Sequence, residues 1–507
     1  MKLTKMMIAV ATRAGATSTF AAPDAANIVR ISGASALKGN FAFALNGLCV
    51  TAGGVMQEWI AGGNISTYVC TPSGGLTSGT TGTYQALASG SFIPFDVVSG
   101  FVEVRLNVAG GSYTALQVLN GGNDRYLNPG AGANVVVGGS ANLGGTGGTA
   151  TSEAGGIGGY SDVNVEGFAA NVLATTPGIA ATVAANTSQP LGVAQGFGIA
   201  ASNALYGAMF TAQQTSGAIS ATCSVGDTSN PNCVPSIGKG QMAAIMSNVN
   251  GSAAKTLGAQ FLAPQLAAST ELRYARRVDT SGTHASAINY FLGIGNMTGP
   301  LAVFLDPSNR TNANAVLVTT STVGSQCNIG DLRGSLFSDQ ETDSAFVANG
   351  QINLCDRKAG NLRVLAAPGT GDVRNELNKS TIQGGATNYA LGVMSLENDQ
   401  VVFRNTSNVD TPTLWRWLRV QRAQGATDAR PGVSGNTNRA AIIDGEYDFY
   451  YETWSYTKSS AANDAIISAI NGQLVSGPAL KGLTVFGTAP EQSPYTRGNV
   501  TRQPSSR

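Results

Sequence analysis

The sequence predicts an α/β protein built from at least two lobes. Strand-like and helix-like segments alternate along the chain, with glycine turns between them. A length of 507 residues exceeds one ordinary core, and a hydrophobic content of 43% is enough to fill more than one. Charged residues make up only 12% and 65 glycines are spread through the chain, so many turns and a weakly charged polar surface are expected. Disorder is excluded by the apolar content.

The elements follow in order. Asn27–Ser32 reads as a strand that runs into Gly33-Ala34-Ser35-Ala36, after which Leu37, Phe41 and Leu45 recur at helical spacing. Residues 50–100 are rich in Gly, Ser and Thr and read as an inserted, loop-heavy excursion. Val102–Val108 alternates apolar and polar residues, a strand signal, and leads through Ala109-Gly110-Gly111-Ser112 into a short helix at Thr114–Leu119. Strands buried on both faces are continuously apolar, so this alternation points to an altered environment for that sheet. Residues 130–159 read as a glycine-rich surface loop ending at Gly158-Gly159-Tyr160-Ser161-Asp162-Val163.

Gln189–Ala201 reads as an extended crossing into a second lobe. There, Leu272–Val278 is a strand feeding Asp279-Thr280-Ser281-Gly282-Thr283, and Ala285, Ile288 and Leu292 mark a helix. A helix start at Gly371–Leu377, a turn at Gly384-Gly385, strands at Tyr389–Leu396 and Tyr447–Trp454, and a helix at Ala462–Leu474 complete the chain. Mainly parallel pairing is expected from this alternation.

Thirty basic and 29 acidic residues give a formal net charge of +1, with no basic stripe, so nucleic acid is not an expected partner. A small anion needs only one or two cations and oriented amides. Lys2 and Lys5, the apolar run Met6–Val10 and the small residues at Thr19-Phe20-Ala21-Ala22 are parts of a secretory signal peptide, interrupted by Arg13. No later stretch has the roughly 18 consecutive apolar residues of a membrane span. Six cysteines fall into three local couples: Cys49 with Cys70, Cys223 with Cys233, and Cys327 with Cys355. Even number, wide spacing and the export signal favour disulfides over a metal site, and His284 is the lone histidine. No metal or cofactor is expected.

Three glycine turns each close a strand and open a helix, and each carries a hydroxyl residue. Helix starts present unpaired N–H groups and attract anions. Arg277-Val278-Asp279-Thr280-Ser281-Gly282-Thr283 is the most specific of them. Residues two apart on a strand share a face, so Asp279 could orient the Arg277 guanidinium and leave its fork for an anion's oxygens.

This run matches Arg-x-Asp-x-Ser-Gly-Thr and resembles the phosphate-binding proteins of bacterial phosphate ABC transporters. Gly33-Ala34-Ser35, Gly110-Gly111-Ser112, Tyr160-Ser161-Asp162 and Asn388-Tyr389-Ala390-Leu391-Gly392 resemble further family elements in the same order. The resemblance implies a two-lobe type II periplasmic-binding-protein fold with long glycine-rich insertions. Its parts would be a signal peptide at 1–22, a first lobe at 23–192 with insertions at 50–100 and 120–159, a second lobe at 193–392, a return to the first lobe at 393–489, and a flexible tail at 490–507.

It also implies phosphate, or a similar tetrahedral oxyanion, held by Ser35, Ala36, Ser112, Asp162, Arg277, Ser281, Gly282 and Thr283, with Asp279 orienting the arginine. An ABC permease would be the partner, and the location periplasmic or extracellular. Asp162 would accept a hydrogen bond only from a protonated oxyanion, which favours hydrogen phosphate over sulfate.

Ser89-Gly90-Ser91 competes with Gly110-Gly111-Ser112 as the second turn. A non-binding reading also stands, in which the fold serves as an extracellular surface or matrix protein. Catalysis by Ser281 and His284 lacks a third orienting residue or a nucleophile elbow, so no enzyme activity is expected.

Overall fold

The computed structural model describes residues 25–61, 64–72, 81–83, 92–129, 134–136, 148–168, 170–173, 175–227, 230–246, 257–278, 280–292, 355–359, 361–367, 369–382, 385–398, 415–421, 447, 449–476, 483–485, 495–496 and 505–506. The signal segment, Ser89-Gly90-Ser91, Asp279 and Cys327 lie outside the described residues.

The elements that build the molecule are, in chain order, β1 (Ile28–Gly33), α1 (Lys38–Thr51), β2 (Gly54–Ala61), β3 (Ile65–Pro72), β4 (Glu103–Asn107), α2 (Tyr113–Leu119), β5 (Asp124–Asn128), β6 (Thr149–Glu153), β7 (Gly158–Ser161) and β8 (Thr187–Ser202). They continue with α3 (Asn203–Thr215), β9 (Leu272–Arg277), α4 (Gly282–Ala287), β10 (Cys355–Ala359), β11 (Leu362–Ala367), α5 (Thr370–Asn378), β12 (Ala390–Ser395), β13 (Trp415–Trp417), β14 (Tyr450–Thr457) and α6 (Ala461–Ser476).

The chain is mixed α/β around one 13-stranded sheet. Its central path runs β10-β11-β9-β12-β8-β14-β7-β1-β4-β3-β2, with β13 and a short strand at Leu483–Val485 also pairing to β8. Within this sheet the expected mainly parallel pairing holds for two nuclei: β4, β1 and β7 are mutually parallel, as are β11, β9 and β12. Around each nucleus the pairing turns antiparallel, so the sheet is mixed.

One strand order occurs twice. The run β4-β1-β7-β14-β8 has three parallel strands, then one reversed, then one restored. The run β11-β9-β12-β8-β13 repeats that pattern of directions. β8 belongs to both. Its first part pairs with β14, with a register shift between Pro190 and Ala194, and its last part pairs with β12.

Each half has a reason to fold in its sequence alternation. Val29 and Ile31 of β1 and Val104 and Leu106 of β4 face one side, where α1 and α6 cover them with Leu37, Phe41, Ile466 and Ile470. In the other half, Val373 and Leu377 of α5 pack on Ala275, Ala390 and Met394. A larger apolar cluster runs between the halves, joining Tyr113 and Leu116 of α2 to Leu272, Tyr274, Ile288 and Tyr290.

Two expectations about the insertions need correction. Residues 50–100 are not merely a loop excursion, because β2 and β3 within them form a hairpin that extends the main sheet beside β4. Residues 130–159 are not a surface loop alone, because β6 within them pairs antiparallel with β5 to make a second hairpin.

This second hairpin explains the alternation of β4. The polar sides of β1 and β4 are buried beneath it, not exposed. Arg30 Nε donates to Glu153 at 2.6 Å, and Arg105 donates to Glu103 at 2.6 Å and to Glu153 at 2.8 Å. Ser32 and Asn107 both donate to Asp124, at 2.6 and 2.7 Å. Burial pulls the Glu153 carboxyl up, but the Arg30 hydrogen bond and the Arg105 and Arg30 charges outweigh it and hold the group below its ordinary range. Charges removed from water in this way require mutual pairing.

Cys49 at the end of α1 is bridged to Cys70 of β3, and Cys223 is bridged to Cys233. Of the tail, Tyr495-Thr496 and Ser505-Ser506 pair in a short antiparallel ladder.

Glu153→Ala removes the carboxylate shared by Arg30 and Arg105. It is expected to lower unfolding stability by about 2–3 kcal/mol, measured from the urea midpoint, by stranding buried charge under the hairpin.

Candidate functional site

Turns at the carboxyl ends of parallel strands are where open α/β sheets bring ligand groups together. Here Ser35 and Ala36 follow β1, Ser112 follows β4, Asp162 follows β7, Ser281–Thr283 follow β9, and Thr370 follows β11. The two nuclei place their turns against each other. Thr280 Oγ1 donates to the Gly110 carbonyl at 3.0 Å, and Tyr113 N–H donates to the Thr280 carbonyl at 2.9 Å.

At this seam Ser112, Asp162 and Gly282 come together. Ser112 Oγ donates to Asp162 Oδ2 at 3.1 Å and lies 3.3 Å from the Asp162 amide nitrogen. A Cβ on Gly282 would overlap Ser112 Oγ and stand 2.7 Å from both Cβ and Oδ2 of Asp162. Only glycine permits that approach, which is a steric reason for the Ser-Gly-Thr run. Ser112, Asp162, Arg277, Ser281 and Thr283 are all buried, each at 2% exposure or less.

Burial raises the Asp162 pKa to about 6, against the opposing effects of the Ser112 hydroxyl and the Arg277 charge. Its Oδ1 is buried without a hydrogen-bond partner. Such an oxygen costs free energy unless a donor meets it.

Arg277 Nη1 donates to Thr370 Oγ1 at 2.8 Å. Neighbouring Arg276 points to the other side of β9, where Nη1 donates to His284 Nε2 at 3.0 Å and to the Arg277 carbonyl at 3.1 Å.

Ser35 and Ala36 open the helical turn after β1, with Ala36 buried. Gly33 makes that turn possible: at φ +136° its Cα side lies directly against the Tyr160 carbonyl, and Ala34 N–H donates to that same oxygen at 2.9 Å. The contacts joining Ser112, Asp162 and Gly282 do not extend to Ser35 or Ala36 among the described residues.

Sequence reasoning missed one turn. Gly369-Thr370-Gly371-Asp372 closes β11 and opens α5, the same strand–glycine–helix pattern with a hydroxyl and a carboxylate. Asp372 Oδ2 accepts from the Gly369 N–H at 2.8 Å. Burial raises the Asp372 carboxyl pKa, opposed by that amide and by the nearby Arg277 charge. The signal was legible, since Gly371-Asp372-Val373 already read as a helix start. Its proximity to Arg277 was not.

Among the described residues, no group of three or more His, Cys, Asp or Glu side chains is placed to hold a metal ion. The seam brings together a buried carboxylate, the hydroxyls of Ser112, Ser281 and Thr283, and the Arg277 charge.

Because the folded pKa of Asp162 lies above the ordinary carboxylate value, the folded state binds the extra proton. Its contribution to stability is therefore largest in acid and is lost as pH rises from about 4 through about 6. Asp162→Asn is expected to flatten that part of the stability profile and raise the urea midpoint at pH 7, by on the order of 2–3 kcal/mol.

No protein-family model, curated protein or solved structure matches the chain.

Proposed function

We propose that the chain is an exported solute-binding protein that holds phosphate, or a similar tetrahedral oxyanion, between two α/β lobes in a type II arrangement. The observation that carries this reading is the buried, unpartnered Oδ1 of Asp162 at a seam shared with Ser112, Gly282 and the Arg277 charge. A protonated oxyanion oxygen would satisfy Oδ1, and its remaining oxygens would take the hydroxyls of Ser112, Ser281 and Thr283 and the amides of Gly282 and Thr283.

The repeated strand order about the shared β8 supports two lobes joined by a crossing strand. Ligand entry requires the Gly110–Tyr113 and Thr280–Gly282 turns to part, and the anion then stabilises the closed form by touching both lobes. Two disulfides support an oxidising compartment outside the cytoplasm.

A second reading is favoured by a specific observation. The turns are hydrogen-bonded directly to each other, and one apolar cluster runs continuously between the halves. That suits a permanently closed scaffold of the cell surface or matrix.

Calorimetric titration of the ligand-stripped chain separates the two. Phosphate is expected to bind and sulfate to be rejected. Arg277→Ala and Asp162→Asn are each expected to weaken phosphate binding at least tenfold with the fold intact, the loss of a charge-assisted bond being worth about 1.5–3 kcal/mol. No heat with any oxyanion, from folded protein, transfers the weight to the scaffold.

A further inference from the structure

We propose that Thr370 is a positioning residue for anion binding: its hydroxyl holds the Arg277 guanidinium in the orientation that faces the seam. The proposal rests on the oxyanion reading above and names a residue beyond those drawn from the sequence.

The argument starts with β9. Arg273 and Arg277 are four apart on one strand and therefore share a face. That face is covered by α5, and the helix meets both arginines, but with different chemistry. Arg273 Nε donates to Glu376 Oε1 at 2.6 Å, a buried ion pair. Arg277 Nη1 donates to a neutral hydroxyl, Thr370 Oγ1, at 2.8 Å.

The first contact fixes the helix on the strand. The second, one and a half turns nearer the helix start, is thereby set at the height of the Arg277 head. Asp372 holds the Gly369 amide and so fixes the backbone that carries Thr370.

A carboxylate at position 370 would orient the arginine equally well, but would add a negative charge where an anion must sit. A hydroxyl orients the fork without adding that charge. Having accepted from Arg277, it retains one O–H, which can donate only to another acceptor.

The test is phosphate titration of the full chain and of Thr370→Ser, Thr370→Val and Thr370→Asp, each with its urea midpoint. Thr370→Ser is expected to bind within about threefold of the parent. Thr370→Val is expected to bind about tenfold more weakly at a similar midpoint, as for one charge-assisted hydrogen bond. Thr370→Asp is expected to bind more weakly still. Thr370→Ala serves the same comparison if the valine variant does not fold.

Parent-like affinity in the valine, or in its place the alanine, variant overturns the positioning role while leaving the oxyanion reading in force. Parent-like affinity in the aspartate variant overturns it too. A parent chain that binds no phosphate overturns both.

Discussion

The molecule depends on β8. One 16-residue strand completes the first half-sheet beside β14 and, after a register shift, supplies the reversed strand of the second half beside β12. Every other relation between the halves follows from that continuity, because a shared strand fixes the two parallel nuclei in one frame. With the frame set, the carboxyl ends of β4 and β7 come to face the carboxyl end of β9. The turns meet because the strands leave them no other place.

What happens at that meeting is a balance of electrostatics. Asp162 has lost nearly all contact with water, and the Ser112 hydroxyl and Arg277 charge recover only part of the solvation it gave up. The remainder appears as a raised affinity for a proton. The carboxylate therefore weakens the fold near neutrality. Arg277 shows the complementary economy, because α5 steadies it with a hydroxyl while spending its carboxylate, Glu376, on Arg273.

Much of the fold was legible in the chain because alternation and glycine turns are local signals. β1, β4, β8, β9, β12, β14 and α6 fall close to where periodicity put them. Residues 50–100 and 130–159 were misjudged for a physical reason. Their Gly, Ser and Thr content resembles loop composition, whereas the β2–β3 hairpin is placed by the pairing of β3 with β4, and β6 by its pairing with β5, across intervening chain that carries no local strand signal. The clean alternation of Glu103, Arg105 and Asn107 hinted at a polar neighbour, but nothing local says that the neighbour is Glu153 and Asp124. In the site, only the family resemblance put Ser112, Asp162 and Gly282 in one set, while the approach of Thr370 to Arg277 is a fact of tertiary packing alone.

The placement of β14 has a consequence for how the chain acquires its structure. This strand lies between β7 and β8, yet it is contributed by residues 450–457, far beyond both in sequence. As the polypeptide emerges in order, the centre of the sheet stays unfilled until residues 450–457 have been made. Loop closure over nearly 300 residues must then be met before the contacts that reward it exist. Assembly is thus gated by this strand, and a product ending before it would present two unpaired inner edges, at β7 and β8, to any neighbouring chain.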